Sequence, residues 1–232
     1  MRHKHTLLFF ISLFFVTAFA QSQEEVATDT LSKKTKYGLR IGADISKPLR
    51  SLLEDDYTGF EVVADFRLTE KFYAAAEVGN EQKDFFEPNL NATTSGSYAK
   101  IGVDLNAHNN WLGLNNAIFG GLRYGFSSFK QELLAYSIYT NNTVFPPSVR
   151  IEPREFNGLT AHWVELVLGV KTEVLNNLYL SINVQLKRKL SESELDNFDN
   201  IFIPGFNSTN DFSEFGAGYG YSISYLIPLF QK

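Results

Sequence analysis

Phe215 to Ile227 reads Phe-Gly-Ala-Gly-Tyr-Gly-Tyr-Ser-Ile-Ser-Tyr-Leu-Ile, and its period of two holds almost to the end. Phe215, Ala217, Tyr219, Tyr221, Ile223, Tyr225 and Ile227 share one face, while Gly216, Gly218, Gly220, Ser222 and Ser224 share the other. Only a β-strand separates residues in this way, here into an apolar, aromatic face and a small, polar one. The same glycines could suggest a phosphate loop. That fingerprint needs a different spacing between a strand and a helix, so alternation inside one strand is the better reading.

Seven further segments alternate in the same manner, near 37–46, 58–68, 71–80, 97–106, 116–128, 161–175 and 177–188, with 214–229 as the eighth. Their connections alternate too. Thr69-Glu70 and Asn176-Asn177 join neighbouring strands tightly, and about ten residues around His108 and Trp111 join the fourth to the fifth. Stretches 47–57, 81–96, 129–160 and 189–213 are longer. Short turns at one rim and long loops at the other predict an all-β, eight-stranded antiparallel up-and-down transmembrane β-barrel over 37–230.

The strand phases define one apolar set, including Leu39, Ile41, Phe60, Val62, Ile101, Val103, Leu122, Phe126, Leu166, Leu168, Ile182 and Val184. The opposite set carries Arg40, Asp44, Glu61, Asp65, Arg67, Glu77, Lys100, Asp104, Arg123, Glu165, Lys171 and Lys187, with most of the strand glycines. A lipocalin-like barrel would turn the apolar set inward. Glycines on the charged face and the balance of its charges favour the inverse, a narrow lumen packed with paired ions. Six bases against six acids are then expected to mesh in the interior, with Arg123, between Gly121 and Gly125, reaching two carboxylates. Expected rim aromatics are Tyr37, Phe72, Trp111, Tyr225 and Phe230 at one end and Tyr57, Phe60, Phe126 and Phe215 at the other.

Residues 1–20 have the form of a signal peptide: basic Arg2 to His5, an apolar run from Leu7 to Val16, and Ala18-Phe19-Ala20 as cleavage site. A flexible polar lead-in is expected over 21–36. Aromatics at 15% suit a barrel, whose lipid-facing signal is spread over alternate residues. No cysteine is present, which excludes a disulfide framework, thiolate metal sites and a cysteine nucleophile. A formal charge of −5 without a basic stripe argues against nucleic acid.

Chemistry has few footholds. After processing, only His108 and His162 remain, neither at ligand spacing nor beside a recognisable catalytic partner. Glu54-Asp55-Asp56 and the scatter Glu192, Glu194, Asp196, Asp199 lack the spacing of a calcium loop and read as solvated acids. The expectation is therefore no cofactor, no metal, no catalytic residues and no enzyme activity. In 129–160, Phe129, Tyr136, Tyr139, Phe145 and Phe156 with Pro146-Pro147, Arg150 and Arg154 either cap the barrel mouth or form a contact surface.

The blocks Tyr37 to Pro48, Lys71 to Asn80, Gly121 to Phe126, Ala161 to Glu165 and Tyr225 to Leu229 resemble an uncharacterised outer-membrane family of Bacteroidota. More remotely the chain is similar to OmpA/OmpX-type and PorT-like barrels. The resemblance implies an outer-membrane barrel and brings no catalytic residues with it. The expected function is structural or interactive: a closed, charge-filled lumen in outer-membrane lipid, with 81–96, 129–160 and 189–213 offered to a surface protein or glycan. The alternatives are a small-solute channel and, third, a barrel enzyme.

Overall fold

The computed structural model describes residues 36–107, 116–137, 149–210 and 212–231. The signal peptide, nearly all of the lead-in, His108, Trp111, Tyr139, Phe145 and Pro146-Pro147 lie outside the described residues.

Eight long strands form a closed ring. They are β1 (Lys36–Asp44), β2 (Tyr57–Arg67), β3 (Phe72–Glu87), β4 (Leu90–Asn106), β5 (Ala117–Ser137), β7 (Arg154–Leu175), β8 (Leu178–Glu192) and β11 (Phe215–Gln231). Each pairs antiparallel with its neighbour, and β11 returns to β1 with Asp44 opposite Ser222. Closure removes both sheet edges, so neighbouring strands satisfy the backbone across the apolar belt. Two-residue β6 (Val149–Arg150) extends the edge of β5. The helix α1 (Ser46–Leu53) follows β1, and a small hairpin, β9 (Phe202–Ile203) and β10 (Asn207–Ser208), lies between β8 and β11. None of the described helices is long and apolar enough to cross a membrane, which says nothing about crossing with strands.

The turns at one end have local causes. Leu68 and Thr69 amides both reach the Phe72 carbonyl, and Asn177 takes a positive φ of 66° between β7 and β8. Asparagine tolerates that left-handed conformation better than most residues.

At the other end the strands run further than their apolar pattern does. The expected loop 81–96 is instead the continuation of β3 and β4 to a turn at Pro88-Asn89, with Glu87 opposite Leu90. Much of 129–160 is likewise strand, in β5 and β7. Once a strand rises above the apolar belt both of its faces are polar, as in Gln82-Lys83-Asp84, and the alternation that marks it fades.

Exposure settles which face is inside. Ile101, Leu122 and Ile182 on the apolar set are 64%, 66% and 53% exposed, whereas Lys100 and Glu165 on the charged set are 2% and 1%. The barrel is therefore apolar outside and charged inside, the transmembrane arrangement and the opposite of a lipocalin. Tyr57, expected as a rim aromatic, is 2% exposed and points inward, on the same parity as Glu61 and Asp65. Tyr37 is also covered, stacked on Phe230 at 5.1 Å.

Inner-face glycines make room for large side chains. A Cβ on Gly125 would lie 2.1 Å from the Trp163 indole across the β5–β7 pair, and one on Gly79 would lie 2.4 Å from the Tyr98 ring. On the outer face, a Cβ on Gly120 would meet nothing nearer than a Leu168 methyl at 3.6 Å. Gly125→Ala is accordingly expected to lower the thermal unfolding midpoint in detergent and to weaken the compact, heat-modifiable band on unboiled gels. Gly120→Ala is expected to leave both close to wild type.

Candidate functional site

The interior is the candidate site, and it is built in tiers. Nearest the short turns, Asp65 holds two cations: Arg40 Nε donates to Oδ1 at 2.6 Å and Lys171 Nζ to Oδ2 at 2.5 Å. Arg40 and Asp65 are direct cross-strand partners. Aromatic walls complete the tier, with the Arg40 guanidinium 4.9 Å from the Tyr73 and Tyr179 ring centres and Lys171 5.3 Å from that of Phe119.

At mid-height Arg123 meets two carboxylates. Nε donates to Glu77 Oε1 at 3.1 Å. Nη2 lies 2.7 Å from Asp104 Oδ1, a charge contact without hydrogen-bond alignment. Gly121 lies beside this fork: a Cβ there would be 2.1 Å from Asp104 Oδ1.

Above it Lys100 is surrounded by acids. Its Nζ lies 2.5 Å from Glu77, 3.0 Å from Glu61 and 4.0 Å from Glu165. Neutral donors share the load, since Tyr98 Oη donates to Glu61 at 2.6 Å and Trp163 Nε1 to Glu165 at 2.7 Å. Lys187 Nζ stands 3.6 Å from Glu165 Oε1, the oxygen that accepts from Trp163. Glu77–Lys100 and Glu165–Lys187 are direct cross-strand pairs, so sheet register sets which charges meet.

The top tier closes the mouth. Phe202 to Phe206 turns down into the barrel, its tip at Pro204-Gly205 with Gly205 at φ +83°. Ile203 and Phe206 join Tyr98, Phe129, Leu159, Ala161 and Trp163 in one buried cluster. The tip is also held by charge: Glu81 accepts from Gly205 N at 2.7 Å, and Lys187 Nζ donates to Gly205 O at 2.7 Å. Glu81 further accepts from Tyr57 Oη at 2.6 Å and pairs with Lys47 of α1. Gln131 ties down the preceding residues, donating to Asp199 O at 2.9 Å and accepting from Ile201 N at 3.1 Å. We call 202–206 the cork.

Two of the twelve charges do not join as expected. Arg67, at the short-turn rim, donates to the carbonyls of Thr69 and Glu70 and lies over the Tyr37 and Tyr73 rings rather than meeting a carboxylate. Asp44 caps backbone instead, accepting from Ser46 N at 2.8 Å and Tyr221 N at 3.1 Å where β1 becomes α1. The other ten lie within the tiers.

Sequence reasoning missed Glu81, Lys47, Tyr57, Gln131 and the cork. One signal was present: Ile201-Phe202-Ile203-Pro204-Gly205-Phe206 is an apolar run around a Pro-Gly turn inside an otherwise polar loop. Of the mouth aromatics, Phe129 is in the cluster and Phe156 packs against it. His162 lies on the outer face, its Nδ1 2.7 Å from Tyr124 Oη and its ring 5.0 Å from that of Phe126.

Little space remains between the tiers. A cavity of about 40 Å³ lies among Arg40, Asp44, Glu61, Asp65, Glu77 and Arg123, and another of about 30 Å³ lies at the short-turn end beside Arg67 and Tyr73. One water needs roughly 10–15 Å³ on this measure, so these spaces suit a few waters. Among the described residues no three His, Cys, Asp or Glu side chains are grouped to hold a metal ion.

The fold and interior define a transmembrane β-barrel corked at its long-loop end and filled with ion pairs. The chain belongs to the family described as a domain of unknown function (DUF6048), whose model matches residues 3–232. No curated protein matches the sequence at a significant level. Among solved structures it is similar to Ail, the attachment invasion locus protein of Yersinia pestis, at 9% identity and a TM-score of 0.37, over 82% of this chain and 97% of that one. It is also similar to Neisserial surface protein A (NspA), at 8% identity and a TM-score of 0.39, over 84% and 99%. Neither likeness bears on the interior, which is described from this chain's own geometry.

Arg123→Ala would leave Asp104 without its paired cation and Glu77 with Lys100 alone. Breaking a buried pair in this way costs roughly 3–5 kcal/mol. The expected outcome is a markedly lower thermal unfolding midpoint in detergent, whereas Arg150→Ala, a half-exposed side chain outside the barrel wall, should be nearly neutral.

Proposed function

We propose that this protein is an outer-membrane barrel that displays its long-loop end at the surface and neither conducts solutes nor catalyses a reaction. The observation that carries the reading is the double closure of the lumen: the Lys100 and Arg123 tiers at mid-height and the cork above them. Eight strands enclose an interior just wide enough for side chains to fill. Here those side chains are opposite charges in mutual contact, and a solute could pass only by separating them.

The membrane setting is supported by the apolar outer face, and orientation by the loop asymmetry, since long loops of such barrels lie outside the cell. The leader-like residues 1–20 and the resemblance to Bacteroidota outer-membrane proteins belong to the same proposal. The partner would be a surface protein or glycan meeting 129–160 and 189–213, together with the β3–β4 tip within 81–96. Against catalysis stands the setting of His162, which faces outward beside Tyr124 and Phe126.

Single-channel recording on protein reconstituted in planar bilayers tests the reading. Wild type is expected to give no steady conductance. Deletion of residues 202–206 is expected to leave the membrane sealed as well, because the ion-paired tiers lie beneath the cork. A large, stable conductance from wild type would establish the small-solute channel instead.

A further inference from the structure

We propose that α1 is a lipid-contacting helix that carries the apolar belt of the barrel across a notch in its wall and sits in the outer leaflet at the acyl-chain boundary. This rests on the membrane reading above and adds a second kind of membrane contact to it.

The notch follows from strand lengths. β1 stops at Asp44, opposite Ser222 of β11 and Glu61 of β2. Its neighbours climb on, β11 up to Phe215 and β2 up to Tyr57. Just above that point both still turn aromatic side chains outward, with Phe60 58% and Tyr219 57% exposed. The wall would therefore lack a strand at a height where both flanks still face lipid. Helix α1 starts at that spot, with Ile45 N bonded to Tyr221 O at 2.7 Å as the last rung before the chain coils.

The helix is amphipathic in the inverted sense. Its polar side grips the barrel: Lys47 pairs with Glu81, Arg50 lies 3.9 Å from the Tyr57 ring centre, and Ser51 Oγ accepts from Gly59 N at 2.9 Å. Beyond its C-terminal end, Lys83 donates to Asp56 at 2.7 Å, a bond that holds the Asp56 carboxyl below its usual range. The opposite side carries Ile45, Leu49, Leu52 and Leu53, exposed by 41%, 51%, 83% and 76%. Residues 45, 49 and 52–53 recur at helical spacing, so they form one stripe. Water would penalise such a stripe, and a helix docked on a protein core would have turned it inward. Ile45 belongs at once to the outward phase of β1 and to this stripe, which makes the stripe continuous with the lipid-facing belt. An apolar face of this kind seats in the boundary between headgroups and acyl chains.

The chain lacks cysteine, so single thiols can be placed at will. Leu52→Cys and Leu53→Cys would be labelled with bimane, as would Ile101→Cys in the belt and Glu152→Cys outside it. All would be reconstituted in phosphatidylcholine vesicles with or without bromines on the acyl chains, with heat-modifiable migration confirming the fold. The expected result is loss of bimane emission at positions 52 and 53 in brominated vesicles, as at 101, with iodide quenching well below that at 152. Full iodide access at 52 and 53 without lipid quenching would overturn the proposal. So would shielding from both quenchers, which would mean that a second copy or another protein covers the stripe. Absence of lipid quenching at 101 would instead defeat the membrane reading itself.

Discussion

A charge buried in a narrow, water-poor lumen must touch its opposite, and the rest of this barrel is arranged around that requirement. Lys100, 2% exposed, would cost several kcal/mol in isolation. Three carboxylates surround it, but three acids around one base leave negative charge over. That excess is spread outward through Arg123, Lys187 and the Tyr98 and Trp163 donors. No single pair is self-sufficient. Aromatic donors and inner glycines belong to the same solution, because the indole of Trp163 fits only where Gly125 has no side chain.

The two ends of the barrel differ in how they stop. At the short-turn end the chain reverses within a few residues between β2 and β3 and between β7 and β8, and Arg67 spends its donors on turn carbonyls. At the long-loop end the strands overshoot the belt, and a loop folds back to seal the mouth. The cork is held by an apolar cluster and by ions at once: Phe206 packs edge-on to Trp163 at 6.1 Å, while Glu81 and Lys187 grip the two sides of Gly205. The mid-lumen ion pairs therefore connect, through hydrogen bonds from Lys187 and to Glu81 on the Gly205 backbone, with the Glu81–Lys47 pair and so with α1.

Much of this was legible in the sequence where one physical pressure acts alone. Lipid on one side and a crowded interior on the other force strict alternation, so the eight strands and the inner or outer phase of Lys100, Arg123 and Glu165 follow from residue order. Tyr57 was misplaced because an aromatic at a strand end fits either a lipid rim or an inner hydrogen bond. Only its parity with Glu61 tells the two apart. Asp44 and Arg67 sit where strands end, and local backbone groups there compete with distant carboxylates or cations for their hydrogen bonds. The cork and Glu81 lie above the belt, where alternation no longer reports position and long-range contacts decide. Ion-pair partners depend on register, which alternation does not encode.

The central claim is that the lumen charges act on one another through a packed, low-dielectric interior. A double-mutant cycle on Lys100 and Glu61, in contact at 3.0 Å, measures this directly. Lys100→Met, Glu61→Gln and the double variant would be unfolded in detergent at low and high salt. The account predicts a Lys100→Met loss of roughly 3–5 kcal/mol, substantial recovery in the double variant, and a coupling energy that salt barely changes. A coupling below about 0.5 kcal/mol that fades with salt, as for solvated pairs, would contradict it.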